Sequence, residues 1–541
     1  MNLHFFGGAN EVGASSTLIE IEGVRLLVDA GIRMGPGQDS PLPDFPDFDK
    51  VGMPDAVLLT HAHTDHTGAL PVLHNMLSAD VKIYCPPATQ AITKVLLEDS
   101  ARRMERGEEN GEELRYTLAD VAAVLNRMKP VGWLEPIEVC PGVTATWIRA
   151  GHIFGAAMIY IQGQHERILM TGDVSVSRQL TIPSLDLPSW CKPDVMVMES
   201  TYGDRQHEVS RKQEAKRLAA DVAEVIAEVI AGGDKVLMPA FAVGRSQEVI
   251  LILKDAMERK EIPEIPVYVD GMVRKVNDIY SDFADELQRP LRRKAEQGES
   301  LFYTDMIKKV ESPDERESIL AGEPCCIVAS SGMLNGGISN YYASKLVSNQ
   351  KNLVAITGYQ AEGTPGRALE DLSKQEDPEN RVWFLDNKRF DVKCQVKRYR
   401  LSAHADSQEL LDLVEKVQPR KLFLVHGDAA ARKELSKSVR KACPAVDVKL
   451  PENGGVYPIK KRVGISRGRQ LRHDRIISEV AAFVRKMERN GRFRVCELAE
   501  IWFGTEAITP LSVAFFKWCL SLETQFFARE SDNVFSLRQI V

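Results

Sequence analysis

The sequence predicts a layered α/β fold whose strands end in metal-seeking side chains. Short apolar stretches alternate with amphipathic segments of helical period, a pattern typical of parallel sheets covered by helices. The chain has 541 residues, too many for a single hydrophobic core, so we expect two to four domains. The third observation is His61–His66 (HAHTDH), where four potential metal ligands lie within six residues.

The composition describes a globular chain and excludes several other classes. Hydrophobic residues make up 44% and charged residues 27%, and no apolar run approaches the length of a membrane span. The N-terminus enters a strand and a glycine turn at once, so we expect no signal peptide. Nine cysteines occur without a CxxC pair, which predicts free thiols and a cytoplasmic location. With a net charge of −7, a polyanion must bind a local basic groove.

The HAHTDH stretch predicts a metal site. The apolar strand predicted at 55–59 precedes it, and ligands are expected at the carboxyl ends of strands in layered α/β folds. His61 and His63 point to the same side of an extended segment. Asp65 and His66 follow where the chain turns into a helix predicted over 67–76. Imidazole and carboxylate together suit zinc, whereas a chance cluster on a solvated loop is the alternative.

Further candidate ligands follow other predicted strands. Asp29 ends the apolar stretch Leu26–Val28, and Asp173 follows the strand Arg167–Met170. His152 lies between Gly151 and Gly155, in a turn where the backbone can approach an ion. Each carboxylate alone could equally cap a turn. Their order along the chain is what favours a joint site.

That order resembles the metallo-β-lactamase superfamily: aspartate, HxHxDH, histidine, aspartate, each at a strand end. Additional motifs resemble those of the β-CASP nucleases, most similarly the branch of the cleavage and polyadenylation specificity factor endonuclease and its prokaryotic relatives. These motifs are MESTYG at 198–203, PAFAVGRSQE at 239–248, ASSGML at 329–334, GYQAEGT at 358–364, SAHAD at 402–406 and VHGD at 425–428. The resemblance runs from about Met1 to Lys461.

The resemblance implies a metallo-β-lactamase αββα sandwich interrupted by an inserted β-CASP α/β domain. We expect the sandwich from residues 1–203 and 401–461 and the insert from residues 204–400. A C-terminal domain at 465–541 follows and opens with a linker at 467–472. Its helix, strand, helix, helix, hairpin order predicts a winged-helix-like fold. This last domain has 12 basic and 9 acidic side chains, so nucleic-acid contact and dimerisation both remain open.

Ligand types and the resemblance together imply two zinc ions, which would activate water and neutralise a phosphoryl transition state. His61, His63 and His152 would hold the first ion. Asp65, His66 and His426 would hold the second, and Asp173 would bridge the two. Asp29 would orient a ligand or the attacking water, unless it is a purely structural carboxylate.

The resemblance also assigns an acid. His404 would protonate the leaving oxygen and Glu199 would fix its tautomer and favour its charged form. Substrate phosphates would meet Arg245, Arg367 and the glycine-rich turns at Ser331, Gly332 and Gly363. For most of the glycines, a role in a tight turn is the alternative.

These features favour a ribonuclease that cuts single-stranded RNA internally and leaves 5′-phosphate and 3′-hydroxyl ends. A 5′-exoribonuclease is the alternative, but that branch typically has glycine where this chain has Ala403. DNA-repair members generally lack the histidine found here at position 426, and the complete ligand set opposes a non-catalytic scaffold. We expect no membrane partner, and a homodimer or a processing complex formed through the C-terminal domain.

Overall fold

The computed structural model describes residues 1–33, 40–46, 48–107, 116–206, 209–227, 235–375, 381–459, 473–486, 492–503, 509–522, 526–531 and 534–538. The chain divides into two compact units, Met1–Lys461 and Arg462–Val541. The predicted linker at 467–472 lies outside the described residues. Among the described helices, none has the length and apolar character needed to cross a membrane.

The first part of the larger unit contains most of two sheets and the helices that cover them. Its strands are β1 (Asn2–Gly7), β2 (Ser16–Ile21), β3 (Val24–Val28), β4 (Ala56–Leu58), β5 (Lys82–Cys85), β6 (Met128–Pro130), β7 (Ile137–Cys140), β8 (Val143–Arg149), β9 (Ala157–Gln162), β10 (Arg167–Met170) and β11 (Val195–Glu199). Its helices are α1 (Phe48–Val51), α2 (Thr64–Thr67), α3 (Leu70–His74), α4 (Pro87–Glu105) and α5 (Leu118–Arg127).

A parallel α/β layer follows in residues 211–398. Its helices are α6 (Arg211–Ala227), α7 (Arg245–Glu258), α8 (Val273–Asp282), α9 (Arg289–Glu296), α10 (Pro313–Ala321), α11 (Ile338–Leu346) and α12 (Pro365–Ser373), with a 3₁₀ turn at Ala284–Glu286. Its strands are β12 (Lys235–Pro239), β13 (Val267–Asp270), β14 (Ile307–Lys309), β15 (Cys325–Ala329), β16 (Leu353–Ile356), β17 (Val382–Leu385), β18 (Lys388–Asp391) and β19 (Gln395–Arg398). The sheet order is β14-β13-β15-β12-β16-β19, with all neighbours parallel, and β17 and β18 form a separate hairpin.

The chain then returns to the first layers. The returning elements are α13 (Ser407–Val417), β20 (Lys421–Val425), α14 (Ala429–Ala442), β21 (Asp447–Lys449) and β22 (Val456–Pro458). The two sheets are completed in the orders β22-β1-β2-β3-β4-β5-β6 and β21-β20-β11-β10-β9-β8-β7. Because β11 pairs in parallel with β20, the α/β layer between them is an insertion into one sheet.

The two sheets pack face to face, and helices cover their outer faces. Leu26 and Val28 of β3 enter the core between the sheets, together with Ile159 and Val197 of the opposite sheet. Leu27 points the other way, into a core shared with the covering helices. Successive strand residues point to opposite faces, so strands buried on both sides need near-continuous apolar runs. This arrangement is the predicted αββα sandwich, and the predicted fold class is confirmed.

The smaller unit contains α15 (His473–Lys486), β23 (Arg492–Arg494), α16 (Val495–Phe503), α17 (Pro510–Leu522), β24 (Phe527–Ser531) and β25 (Val534–Leu537). Strand β25 pairs antiparallel with both β23 and β24. The order of elements is the one expected from the sequence, and the winged-helix assignment stays a prediction.

One local expectation is wrong. A continuous helix was expected over 67–76, but the chain forms α2 and α3 instead. The Gly68 nitrogen still donates to the Thr64 oxygen, after which Ala69 and Pro71 begin a second helix. The early start of α2 brings Asp65 and His66 into a helical turn beside the first ligands. Thr117 and Asp120 form a capping box at the start of α5.

Gly31 permits close packing of the β3 loop against the HAHTDH segment. A Cβ atom at Gly31 would fall inside contact distance of the Asp65 backbone. Gly31→Ala should therefore displace Asp65 and lower both stability and metal content. The control Gly23→Asn lies at a hairpin where a Cβ meets no atom within 4 Å, and asparagine tolerates its positive φ. Thermal unfolding and metal analysis of both variants test this, and wild-type metal content in Gly31→Ala would contradict it.

Candidate metal centre

The side chains predicted as ligands converge at one edge of the sandwich. Most of them follow directly on strands whose carboxyl ends meet there: Asp29 after β3, His61 after β4, Asp173 after β10, Glu199 at the end of β11 and His426 after β20. Asp65 and His66 lie on α2, and His152 and His404 lie on loops. Asp29 and His426 adopt left-handed backbone conformations, with φ of 61° and 49°. Such conformations cost free energy and occur most often at functional sites.

Two groups of ligand atoms share Asp173. His61, His63, His152 and Asp173 offer atoms that all lie within 4.8 Å of one another. The same limit holds for a second group, which contains Asp65, His66, Asp173 and His426. These are the residues that the sequence analysis grouped, and their assignment as ligands stays a prediction. The arrangement places potential ligands for two ions side by side.

Each oxygen of Asp173 faces a different group. Oδ2 lies 3.6 Å from Nε2 of both His61 and His152. Oδ1 lies 3.5 Å from Nε2 of His66 and 3.3 Å from Nδ1 of His426. A carboxylate in this position can bridge two cations.

Contacts from outside the groups set the orientation of two imidazoles. Asp29 Oδ2 lies 2.8 Å from Nδ1 of His66, so that nitrogen carries the proton and Nε2 is left to bind. Thr60 donates to Asp29 from both its nitrogen and its hydroxyl, at 2.8 and 2.7 Å. The Nδ1 of His152 lies 2.9 Å from the Ala403 carbonyl oxygen and must also carry its proton.

The surrounding charges prepare these groups to bind a cation. Burial lowers the pKa of His61 and His152 well below the usual value, so both imidazoles are neutral. Burial acts in the same direction on His66, but Asp173 and Asp29 outweigh it and raise that pKa well above normal. Burial favours the protonated form of Asp173, yet His426 and His66 hold its pKa well below the ordinary value. A metal ion would take the place of the protons on His66 and His426.

The donor atoms fit metal ions. Within the described part of the chain, His61 Nε2, His63 Nε2, His66 Nε2 and Asp173 Oδ1 are buried without a hydrogen-bonding partner. Burying such atoms unpaired is costly. Nitrogen and carboxylate donors facing one small space satisfy this demand when they bind a borderline cation such as zinc.

His404 and Glu199 form an ion pair next to these groups. His404 Nδ1 lies 2.9 Å from Glu199 Oε2 and 3.2 Å from Oε1. Glu199 is 1% exposed and also accepts from the Val174 nitrogen at 2.6 Å. Burial alone would lower the pKa of His404, but Glu199, with Asp173 and Asp65, raises it to about 9. The imidazole is therefore charged at neutral pH and can give up a proton.

A cavity of about 140 Å³ opens over the metal ligands. Its opposite wall comes from the inserted layer and includes Phe241, Arg245, Met333 and Tyr359. Arg245 is 7% exposed, and its Nη1 has no hydrogen-bonding partner among the described residues. Burial, and then the nearby Arg211, lower the pKa of Arg245 to about 9. An anion in the cavity would compensate this buried cation.

Gln179 supports the loop that carries His152. Its Nε2 donates to the carbonyl oxygens of Gly151 and His152, at 2.5 and 2.7 Å. Its Oε1 lies 3.5 Å from Arg211 Nη2, so the loop is linked to the first residue of α6.

Arg211 in turn supports the segment before His404. Its Nη1 donates to the carbonyl oxygens of Leu401 and Ser402, at 3.2 and 2.7 Å. Its Nη2 donates to Glu248 Oε2 at 2.9 Å. Glu248 is fully buried and also accepts from the nitrogen and hydroxyl of Thr181. One buried ion pair therefore connects the insert with both loop histidines.

The other residues expected to bind substrate have local partners. Arg367 is half exposed on α12 and pairs with Asp371 at 2.9 Å. Ser331 accepts a hydrogen bond from the Asn335 nitrogen. Gly363 has a φ of +79°, as in a tight turn. A Cβ at Gly332 would press on the Phe241 backbone, so this glycine permits the close approach of two loops.

Several residues that shape the site were not found from the sequence. Thr60, Gln179, Arg211 and Glu248 act through contacts with residues distant in the chain, which spacing does not reveal. Tyr202 lies in the MESTYG motif, and its ring contacts His404 with centroids 5.8 Å apart. Its place directly after Glu199-Ser200-Thr201 was the available signal.

Family models match three successive parts of the chain. A metallo-beta-lactamase superfamily domain matches residues 18–198, and a Beta-Casp domain matches residues 246–369. A Zn-dependent metallo-hydrolase RNA specificity domain matches residues 389–451. Fold and site together define a metal-binding hydrolase of the metallo-β-lactamase superfamily.

Three individual relatives show to which family of the superfamily the chain belongs. Transcription termination factor FttA of Methanocaldococcus jannaschii is 30% identical over 82% of this chain and 69% of its own length. Integrator complex subunit 11 of Danio rerio is 30% identical over 84% and 72%. An RNase J-like protein of M. jannaschii is 30% identical over 84% and 99%. The chain belongs to the β-CASP family of this superfamily, as its motifs predicted.

A solved structure shares the fold alone. A protein of unknown function from Enterococcus faecalis V583 superimposes with a TM-score of 0.50 at 14% identity. The match covers 85% of this chain and 99% of that protein.

The buried Arg211–Glu248 pair leads to a stability prediction. Arg211→Met leaves Glu248 charged and without Arg211, which should lower the free energy of unfolding by about 3–5 kcal/mol. The matched control is Arg259→Met, which removes an exposed partner of Asp255 on α7 and should cost less than about 1 kcal/mol. Urea unfolding of both variants gives the comparison. Equal losses of unfolding free energy in the two variants would show that the Arg211–Glu248 pair stabilises the fold no more than an exposed ion pair does.

Proposed function

We propose that this chain is a zinc-dependent endoribonuclease that cuts single-stranded RNA and leaves 5′-phosphate and 3′-hydroxyl ends. The observation that carries the proposal is the charged His404–Glu199 pair next to two ligand groups sharing Asp173. Hydrolysis of a phosphodiester needs charge neutralisation at phosphorus and a proton for the leaving oxygen, and this arrangement supports both. The names of two relatives, an RNase J-like protein and a transcription termination factor, are consistent with RNA as the substrate.

His61, His63 and His152 would hold one zinc ion, and Asp65, His66 and His426 the other, with Asp173 between them. The ions would supply an activated water molecule and neutralise charge on the phosphoryl group. Asp29 keeps the Nε2 of His66 directed at the site through its contact with Nδ1. Asp65 acts as a ligand, while the roles proposed for Asp29 and Glu199 are to orient and charge neighbouring imidazoles.

His404 would deliver the proton. Its Nδ1 is held by Glu199, which leaves the Nε2 proton for the departing 3′-oxygen. Arg245, buried with an unpaired Nη1, would bind a phosphate of the strand. Arg367 is proposed as an outer contact for the backbone, and Ser331, Gly332 and Gly363 as the turns that shape this wall.

A 5′-exonuclease is the second candidate, favoured by the similarity to an RNase J-like protein over 99% of that protein. A DNA nuclease and a non-catalytic subunit are further outcomes that the experiments below separate. We also propose that the C-terminal unit contributes to assembly or to RNA contact and not to the chemical step.

Metal analysis tests the ligand assignment. The purified chain should contain about two zinc ions, and Asp173→Ala should lose both ions together with activity because Asp173 faces both groups. His63→Ala should also lose metal, whereas His165→Ala, outside the ligand groups, should not. Active protein with a single ion would overturn the two-metal assignment.

His404 and Glu199 can be tested by their pH dependence. His404→Ala should keep its metal and lose roughly 10²–10⁴-fold in rate. In the wild type, activity should fall as the pH rises through the pKa of His404, because the proton is then lost. Glu199→Gln removes the charge that raises this pKa, so the alkaline limb should move to lower pH.

A substrate with a low-pKa leaving group provides the control for the acid assignment. Such a substrate needs no proton, so His404→Ala should recover much of its rate on it. Loss of zinc from His404→Ala would instead show that His404 is a metal ligand. An unchanged alkaline limb of the pH profile in Glu199→Gln would show that Glu199 does not raise the pKa of His404.

Circular RNA separates the two candidate functions. An endonuclease must cut a circular single-stranded RNA, and linear RNA should be cut whether its 5′ end is blocked or free. Affinity should fall as salt rises, since basic groups displace counterions from phosphates. Resistant circles, with digestion of 5′-monophosphate RNA from its end, would establish the exonuclease, while a preference for DNA of the same sequence would exclude both.

A further inference from the structure

A larger cavity lies next to the one above the metal ligands. It has a volume of about 660 Å³, within the range of sites that hold small ligands. Gly358, Tyr359 and Ser402 line both cavities, so the two are adjacent. We call the larger one the upstream chamber, for the reason given below. None of the substrate contacts proposed above lines it.

Aromatic rings stand at the boundary between the two cavities. The Tyr202 and Tyr359 rings have centroids 6.5 Å apart and an interplanar angle of 63°. Tyr202 also contacts the His404 imidazole edge to face, with centroids 5.8 Å apart. Unpaired bases of a single-stranded nucleic acid stack on aromatic side chains such as tyrosine.

Basic side chains outnumber acidic ones in the chamber lining. Arg205, Lys374, Arg398 and Arg400 face it together with Asp204 and Glu370. Lys374 and Arg398 share the carboxylate of buried Glu370. Arg205 pairs with Asp204 at 3.3 Å and lies over the Tyr202 ring at 5.7 Å from its centroid. The excess of positive charge suits the phosphates of a nucleic-acid strand.

The position of His404 indicates which side of the cleaved bond faces the chamber. In the proposed reaction His404 protonates the 3′-oxygen that leaves, and that oxygen belongs to the nucleotide on the 5′ side of the broken bond. Tyr202, which contacts His404, lines the chamber. Leu401 and Ser402, just before His404 in the chain, line it as well. The strand on the leaving-group side is therefore directed into the chamber.

We propose that the upstream chamber binds the nucleotides immediately 5′ of the scissile phosphate. A base stacks on Tyr359, which is partly exposed, while the buried Tyr202 packs behind it as part of the wall. The phosphates meet Arg205 and Arg400, both exposed at the chamber wall. The inference rests on the proposed RNA cleavage and adds to it a subsite and a strand direction. In this proposal, the enzyme binds the nucleotides upstream of the cleavage site through base stacking and through charge.

Equilibrium binding tests the subsite. The zinc-loaded full chain with His404→Ala binds a short oligouridine without cutting it, and affinity is measured over a range of salt. Arg205→Gln and Arg400→Gln should each reduce the slope of log affinity against log salt by about 0.7, the value for one phosphate contact on a single strand. Tyr359→Ala should weaken binding about tenfold, as for the loss of one stacked base.

Arg259→Gln is the matched control, an exposed arginine of the insert that lines neither cavity, and it should leave the slope unchanged. Unchanged slopes in Arg205→Gln and Arg400→Gln, with RNA still cut by the parent enzyme, would overturn the chamber alone. A parent enzyme that cuts no RNA would overturn the proposed function instead.

Photocross-linking tests the direction. A single 4-thiouridine is placed one or two nucleotides before or after a mapped cleavage site, and the RNA is irradiated with the same His404→Ala chain. The upstream probe should cross-link to the tryptic peptides that contain Tyr202 or Tyr359. Cross-linking of the downstream probe to those peptides would show that the strand runs in the opposite direction. The absence of cross-links from both probes would show that the chamber does not bind RNA.

Discussion

The architecture of the site depends on the buried carboxylate of Asp173. Its two oxygens face two separate groups of imidazoles, and the side chain is 2% exposed. A buried anion requires cationic partners at close range, so the strands on either side must bring their ligands within a few ångströms. The convergence of strand ends from both sheets meets this demand. Because Asp173 belongs to both groups, its loss would remove a potential ligand from each of them.

The insert is tied to this centre by polar contacts of its own. Arg211 begins the insert and Glu248 lies one helix further on, yet their partners are carbonyl and amide groups of the metal-binding layers. Arg211 is thereby joined directly to the segment before His404, and through Gln179 to the loop that carries His152. The insert therefore helps to hold both histidines in place.

Much of the site could be predicted because its ligands obey local rules. HAHTDH is contiguous, and Asp29, Asp173 and Glu199 end apolar strands, where chemistry collects in α/β folds. The family and fold predictions are confirmed on that basis. What could not be predicted depends on contacts between distant segments: Arg211 reaches Ser402 across 191 positions of the chain. The break between α2 and α3 was missed because apolar spacing continues through it while the backbone turns at Gly68 and Ala69.

The insertion between β11 and β20 affects the order in which the chain folds during translation. The parallel pair joins Glu199 to Val425 across the whole insert, and His404 and His426 emerge from the ribosome after it. A nascent chain that has folded its first layers still lacks His404 and His426, which we propose as the acid and as a metal ligand. Pairing of such distant strands is also slow, because loop closure must precede the contacts that stabilise the pair. The proposed site is thus complete only when almost the entire larger unit has left the ribosome.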